Sequence, residues 1–250
     1  MTARDKKDYL RSFRKFQQSR EAFYKPKVKV ILMAQVKQGL AGEVVDFKPM
    51  FYFLIGLYQD VSRVWGHRVQ LSIRRQAQKA RQPIGFSQRI YDILKAQYAI
   101  DLMQDALDIT EVTKKHIQEI LTQAAEMGWG VDEVVNRLTD LSEVRARRIA
   151  RTETVAASNI AGDIVAHDSG LQMNKEWLAI LDHRTRHDHY NIHGTIVDID
   201  SKFDVGGNPM RFPGDRGTNG VTTPAGETIN CRCVCVYIPK VDSRGLAMAA

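Results

Sequence analysis

The sequence lacks any long uninterrupted hydrophobic run. Its most apolar stretch, residues 50–57, is interrupted by Gly56 and followed directly by Gln59 and Asp60, whereas a bilayer-crossing helix needs roughly 20 apolar residues. The start, MTARDKKDYLRSFRKF, has neither an apolar core nor a small-residue cleavage site, so it is not typical of a secretory signal. We therefore expect a soluble protein that makes no membrane contact and is not exported.

Cysteine is scarce, and the three cysteines, Cys231, Cys233 and Cys235, alternate along one short segment. Residues two apart on a strand point the same way, and a disulfide between strand neighbours at this spacing is geometrically poor. The pattern predicts reduced side chains in a reducing compartment. They are either small buried residues or part of a metal site.

Long Gly/Ser, Pro or Gln tracts are also absent, which argues against disorder and low complexity. The net charge of +7 is unevenly placed, because residues 1–95 carry about 20 Lys and Arg against about 7 Asp and Glu. This basic third favours contact with DNA or with an acidic protein surface. Solvated helix faces explain it equally well, since no DNA-binding motif accompanies it.

Apolar residues follow a helical period from about residue 6 to residue 171. Pro26 is predicted to end or kink the first helix, because proline lacks the donor that a helix interior needs. Pro83 and Gly85 are predicted to separate later helices.

Capping residues predict the boundaries of the later helices. Thr110 is a plausible N-cap for a helix that stops at Gly128. A short helix is predicted over residues 131–138, and Ser142 is predicted to cap a long helix that ends near Gly170.

After residue 171 glycine and proline become dense, and the short segments 175–180, 195–199 and 231–238 are typical of strands joined by turns. The predicted fold class is α+β, with a mainly helical N-terminal half followed by a small loop-rich module with short β-strands. The corresponding domains are a helical region at 1–141, the module at 142–240 and a flexible tail at 241–250.

The most informative stretch is residues 145–239, in which five separated motif blocks occur in order. In chain order these are R-A-R-R-I-A-R-T-E-T from Arg145, with Asn159 after it; K-E-W ending at Trp177; D-H-R-T-R-H-D-H from Asp182, followed by H-G at Gly194; Phe203 with P-G-D from Pro213; and I-N-C-R-C from Ile229.

This order and spacing closely resemble the Mu F-like minor head protein family of tailed phages. The resemblance implies a minor capsid component, present in few copies near the portal vertex and linked to head morphogenesis and to DNA packaging or delivery. It implies no known enzymatic reaction. The implied location is the interior of the phage head, and the host cytoplasm during assembly.

The implied partner is the portal protein, with the helical region 1–141 as the docking part. Major capsid or scaffolding protein is a further candidate partner. DNA, bound through the basic N-terminal third, is the rival non-enzymatic interpretation.

The charged residues of the motif blocks are interpreted as structural. Those on the predicted long helix are expected to pair across an element boundary, for instance with Asp182, and guanidinium–carboxylate pairs can order a loop-rich module. The predicted core and ion-pair cluster comprises Arg148, Arg151, Glu153, Trp177, Asp182, Arg184, Arg186, His189, Gly194, Asn230, Cys231, Arg232 and Cys233.

Zinc is the candidate cofactor, because imidazole and thiolate are suitable ligands and binding a metal stabilises the fold of a small module. Relatives with a four-ligand set have C-x-x-C in the first element and a histidine just before C-R-C. The corresponding positions here are Arg186, His189 and Thr228, so two of the four ligands are missing.

The sequence therefore favours no cofactor and leaves His189, Cys231 and Cys233 as a tentative zinc site. We hypothesise that an ion pair between Arg186 and Glu227 replaces the metal.

A metal-dependent nuclease acting on phage or host DNA is the alternative function, since His187, His189 and His193 stand close in sequence. No second carboxylate cluster or catalytic lysine lies at an interpretable spacing. No catalytic residue is therefore predicted.

Overall fold

The structure is a computed structural model that describes residues 1–77, 88–217 and 222–250, with the backbone alone described at 88–98. Four long helices make up most of these residues. They are α1 Ala3–Leu40, α2 Lys48–Gln76, α3 Gln88–Met127 and α4 Val131–His167.

The first helix is longer than predicted, because α1 continues through Pro26. A proline inside a helix costs about 3 kcal/mol. Here Phe13, Phe16, Val28 and Leu32, which lie on both sides of the proline, are all buried in one apolar cluster. The expectation that Pro26 ends the helix is wrong, because packing along the whole stripe outweighs the local cost.

The two predicted N-caps are also wrong, since both residues lie inside helices. Thr110 is buried in α3, where its hydroxyl donates to the Ala106 carbonyl oxygen (2.8 Å) and accepts from Gln35 Nε2 (2.8 Å). Ser142 is buried in the middle of α4, which replaces the predicted short and long helices. Packing of the continuous apolar face again overrides capping preference.

The predicted helix stop at Gly128 is confirmed, because α3 ends at Met127 and Gly128 has a φ of 70°. Pro83 and Gly85 lie outside the described residues. No helix among the described residues is long and apolar enough to span a bilayer.

The predicted strands form a three-stranded antiparallel sheet. Its members are β1 Met173–Leu178, β2 Ile196–Asp198 and, last in the chain, β5 Val234–Pro239, in the order β2-β1-β5. Trp177 pairs with Cys235 in register, so the middle strand carries its indole into the core. The α+β fold class is confirmed.

The sequence analysis missed a second, two-stranded sheet and two short helices. The sheet consists of β3 Phe203–Val205 and β4 Asn208–Met210, joined at Gly206 and Gly207, whose positive φ angles suit a tight hairpin turn. The short helices are α5 His187–Asn191 and α6 Ala225–Thr228.

One buried apolar cluster joins the helices to the sheets. It contains Phe13 of α1, Trp65 of α2, Ala157 of α4 and both Trp177 and Tyr237 of the sheet. The predicted domain boundary between residues 141 and 142 falls inside α4. The motif blocks and the N-terminal helices therefore share a core.

Close contacts also connect the helices to the sheet. A Cβ added at Gly162 of α4 would lie 2.8 Å from the Tyr237 ring, so glycine is needed for the helix to approach the sheet. The Tyr9 hydroxyl of α1 donates to the Cys235 carbonyl oxygen at 3.3 Å. Even the predicted tail is attached, since Ala250 N–H donates to the Gly170 carbonyl oxygen at 3.0 Å.

Candidate functional site

The glutamate of the R-T-E-T block lies at a buried junction of three chain segments. Glu153 accepts from the Tyr58 hydroxyl of α2 (3.0 Å) and pairs with Arg216 (2.6 Å), which also pairs with Asp105 of α3. Burial raises the pKa of Glu153, and the Tyr58 hydroxyl opposes this shift. The Arg216 guanidinium beside it favours the charged form.

The arginines of the same block have different environments. Arg151 forms a bidentate pair with Glu21 (2.9 and 2.9 Å) and so ties α4 to α1. Arg148 is exposed and lines a cleft with Glu153. The suggested partner of these arginines, Asp182, instead pairs with Arg232.

The pair between Asp182 and Arg232 closes the loop after β1 against the C-R-C segment. Two guanidinium nitrogens of Arg232 lie 2.6 and 2.5 Å from the two carboxylate oxygens, a bidentate geometry that gives strong charge-assisted bonds. Asp182 also accepts from the Arg184 backbone N–H at 2.9 Å. The Arg232 side chain holds the pKa of Asp182 well below its usual range.

This depressed pKa predicts an acid-sensitive contribution to stability. A carboxyl group with a lowered folded-state pKa stabilises the fold above the unfolded-state pKa, and that contribution is lost as the pH falls through the folded-state value. We expect wild type to lose about 1–2 kcal/mol more stability than Asp182→Asn below about pH 4, after allowance for solvent screening. Urea denaturation across the acid range measures this.

Asp8→Asn, which removes an exposed carboxylate from α1, is the matched control. It should retain the acid-dependent loss of the wild type. Equal pH profiles for wild type and Asp182→Asn would show that the pair contributes nothing.

The hypothesised ion pair between Arg186 and Glu227 is corrected by the structure. The Arg186 guanidinium donates to the backbone carbonyl oxygens of Ile229 and Glu227. The Glu227 carboxylate lies instead 2.9 Å from His189 Nε2. Arg186 therefore fixes the backbone before C-R-C, and Glu227 orients the imidazole.

A buried cluster of His189, Cys231 and Cys233 lies between α5 and β5. His189 Nδ1 is 3.3 Å from Cys233 Sγ and 3.7 Å from Cys231 Sγ. The Trp177 ring meets the imidazole edge to face, with centroids 5.4 Å apart. All four side chains are buried.

The members of this cluster shift one another's pKa values. The hydrogen bond from Cys233, followed by the influence of His189, lowers the pKa of Cys231, whereas burial and the neighbouring Cys231 raise that of Cys233. Burial opposes the imidazolium, but Cys231 and Glu227 raise the pKa of His189. The cluster thus favours a thiolate beside a protonated imidazole.

The remaining residues of the motif blocks form hydrogen bonds with or through backbone groups. Asn159 Nδ2 donates to the Cys233 carbonyl oxygen (3.2 Å), and its Oδ1 accepts from Cys235 N–H (2.9 Å). Gly194 N–H donates to the Trp177 carbonyl oxygen at 2.8 Å. Asn230 has a φ of 61°, and its N–H donates to the Thr152 hydroxyl at 3.0 Å.

The histidines considered for a nuclease do not converge. The side chain of His187 is 85% exposed, while His193 Nδ1 accepts from Ala179 N–H at 3.0 Å and so serves the backbone. Among the described residues, the group close enough to hold a metal is His189, Cys231 and Cys233. The geometry lends no support to a metal-assisted hydrolytic site.

Sequence reasoning missed the partners that lie outside the blocks. Glu21, Tyr58, Asp105 and Arg216 have no spacing relative to the blocks that identifies them. Arg216 offers the one local signal, because it directly follows P-G-D.

The motif blocks thus form a polar framework that holds backbone segments together, which is a structural type of site. The family described as Phage Mu protein F like protein matches residues 115–236. Residues 115–236 are thus similar to that family, as the motif blocks predicted. The match begins 30 residues before Arg145 and so includes the end of α3, where the sequence shows no diagnostic block.

One curated relative is a phage minor head protein, and another is uncharacterized. The minor head protein GP7 of Bacillus phage SPP1 is 28% identical over 169 residues, 62% of this chain and 52% of that protein. The uncharacterized protein YqbB of Bacillus subtilis (strain 168) is 28% identical over 144 residues, 55% of this chain and 45% of that protein.

A third relative has an enzyme's name. The NAD(+)--arginine ADP-ribosyltransferase EFV of Enterococcus faecalis (strain ATCC 700802 / V583) is 34% identical over 107 residues, 42% of this chain and 21% of that protein. The chain thus spans between about a fifth and about half of the length of these relatives. No solved structure matches it significantly. Together the comparisons support a phage head structural role.

Proposed function

We propose that this chain is a minor structural protein of a phage head, which acts near the portal vertex in head assembly and DNA packaging or delivery. The similarity to the family and to a minor head protein supports this. The observation that carries it is the internal use of the motif residues. Glu153, Asp182, Arg186 and His189 each bond to another part of the chain.

A groove between the end of α1 and α3 is the surface that we assign to the portal protein. Its volume is about 920 Å³, and Val44, Val45, Ile117 and Leu121 are among its lining residues. Val44 is 88% and Leu121 43% exposed. Exposed apolar residues around a groove favour a protein partner, and the groove belongs to the N-terminal region already predicted to dock.

A pull-down with the portal protein tests this assignment. We expect co-purification to persist at high salt, because salt weakens contacts between charged groups but does not weaken apolar contacts. The double variant Val44→Asp with Leu121→Asp should lose it, whereas Ile196→Asp, which changes an exposed residue of β2, should retain it. Binding that survives the double variant would contradict the assignment.

DNA contact is a second candidate function, favoured by a basic cleft between α1 and α4. The cleft has a volume of about 690 Å³. Its cationic lining residues come from both the basic N-terminal third and the motif blocks, and outnumber its two acidic ones, Glu21 and Glu143. The cations are Arg14, Lys25, Lys29, Arg147, Arg151, Arg184 and Arg232.

The salt dependence of binding separates the two candidates. Phosphate contacts weaken steeply as salt increases. The exposed residues Arg14 and Arg147 can be reversed to glutamate without breaking the Arg151–Glu21 pair. If DNA binds this cleft, the double reversal reduces affinity and lowers the salt slope by about 2, while portal binding is unchanged.

The proposal also has a direct biochemical counter-test. Hydrolysis of DNA, or transfer from NAD⁺ to arginine, that disappears in a folded His189→Ala variant would contradict a purely structural function.

A further inference from the structure

We propose that His189, Cys231 and Cys233 form a zinc site that fastens α5 to the segment entering β5. The sequence alone does not favour this set, because it departs from the four-ligand pattern. The inference comes from the atoms that the fold brings together. It stands independently of the proposed head function.

The distances between the donor atoms suit a tetrahedral ion. Zinc lies about 2.3 Å from thiolate sulfur and about 2.0–2.1 Å from imidazole nitrogen, which places nitrogen and sulfur about 3.6 Å apart at a tetrahedral angle. His189 Nδ1 is 3.3 Å from Cys233 Sγ and 3.7 Å from Cys231 Sγ. The same nitrogen faces both sulfurs, as one ion shared among them requires.

The far side of the imidazole carries the partner that zinc-binding histidines usually have. Such histidines typically bond a carboxylate through their second nitrogen, which fixes the ring and its tautomer. Glu227 Oε2 lies 2.9 Å from His189 Nε2. Glu227 is thus a positioning residue that leaves Nδ1 free to coordinate.

A buried donor without a partner is a second, independent observation. Trp177 is fully buried, and its indole Nε1 has no hydrogen-bond acceptor. The indole lies beside the cluster, because its ring packs edge to face against His189 with centroids 5.4 Å apart. A metal-bound thiolate is a better acceptor for a nearby indole N–H than a neutral thiol is.

Metal binding also resolves the charge in this cluster. Without a metal, two sulfurs and one imidazole share protons in a buried space; with zinc, both cysteines are thiolates, the imidazole is neutral and their protons are released to solvent. The two thiolates then balance the charge of the divalent cation, so the cluster is neutral overall.

The three protein donors leave the fourth coordination position to a non-protein ligand such as water. His189, Cys231 and Cys233 are each at most 3% exposed, which leaves no access for a substrate. Among the described side chains, no other histidine, cysteine or carboxylate belongs to this group. The role of the ion is accordingly to hold two segments together.

Metal analysis of the reduced full chain tests the proposal. Wild type and Cys235→Ala should each bind one zinc, because Cys235 is equally buried but is not a member of the cluster. Cys231→Ser and Cys233→Ser should lose it. Glu227→Gln should keep the site with about 10–100-fold weaker affinity, which separates positioning from coordination.

Cobalt substitution of the wild type gives a readout that needs no variant to fold. A thiolate-to-cobalt charge-transfer band, removed by added zinc, is the expected result, together with a melting temperature that chelation lowers and zinc restores. Reduced wild type that binds neither ion, or zinc retained at full affinity by both serine variants, would overturn the proposal.

Discussion

Trp177→Ala is expected to reduce the free energy of unfolding by about 3–5 kcal/mol, as is typical for truncating a buried tryptophan. Trp177 is fully buried in the middle strand of the sheet, and its ring packs edge to face against His189 and Phe203, with centroids 5.4 and 5.3 Å apart. For a chain of this size the loss lowers the melting temperature by about 6–20 °C. Calorimetry measures it.

Two variants calibrate this result. Trp177→Phe should cost much less, because the phenyl ring preserves the edge contacts with His189 and Phe203. Tyr190→Ala, at an exposed position beside His189 in α5, should change stability by under about 0.5 kcal/mol. A Trp177→Ala protein as stable as Tyr190→Ala would show that the sheet does not depend on this ring.

Glu153→Ala is expected to cost about 2–4 kcal/mol, because it removes a charged acceptor from a largely buried network of one hydrogen bond and one ion pair. The change removes an acceptor of the buried Tyr58 hydroxyl and one of the two carboxylates that pair with Arg216. Chemical denaturation monitored by circular dichroism measures the loss.

Glu133→Ala is the matched control on the same helix. Glu133 pairs with Arg137 four residues away on an exposed face, and such pairs contribute well under about 1 kcal/mol. If the two variants are equally stable, the glutamate of R-T-E-T does not hold α2, α3 and α4 together.

The sequence predicted the architecture well where its signals are local. Strand periodicity located β1, β2 and β5, and the glycine at Gly128 marked the end of α3. It failed at Pro26, Thr110 and Ser142, where local preferences for a helix end or a cap conflict with a continuous buried stripe. Burial of that stripe is a tertiary effect, which local rules do not contain.

The ion-pair partners escaped prediction for a related reason. Arg151 meets Glu21 across 130 positions in sequence, and Glu153 meets Arg216 across 63. Nothing in the spacing of a single sequence connects such residues. The blocks identified one side of each pair, and only the fold supplies the other side.

The cysteine and histidine cluster could be predicted only in part from the sequence. Alignment to a four-ligand pattern made Arg186 and Thr228 look like missing ligands. The structure brings Cys231, Cys233 and His189 Nδ1 together instead, with Glu227 on the other ring nitrogen. Of the three alternating cysteines only Cys235 lies in a strand, because β5 begins at Val234, after Cys231 and Cys233.

Quantitative mass spectrometry of purified particles of the phage that encodes this chain tests the central claim most directly. We predict that the chain is present in DNA-filled heads, in far fewer copies than the major capsid protein. A chain that is abundant in the infected-cell lysate but absent from heads and procapsids alike would contradict the account.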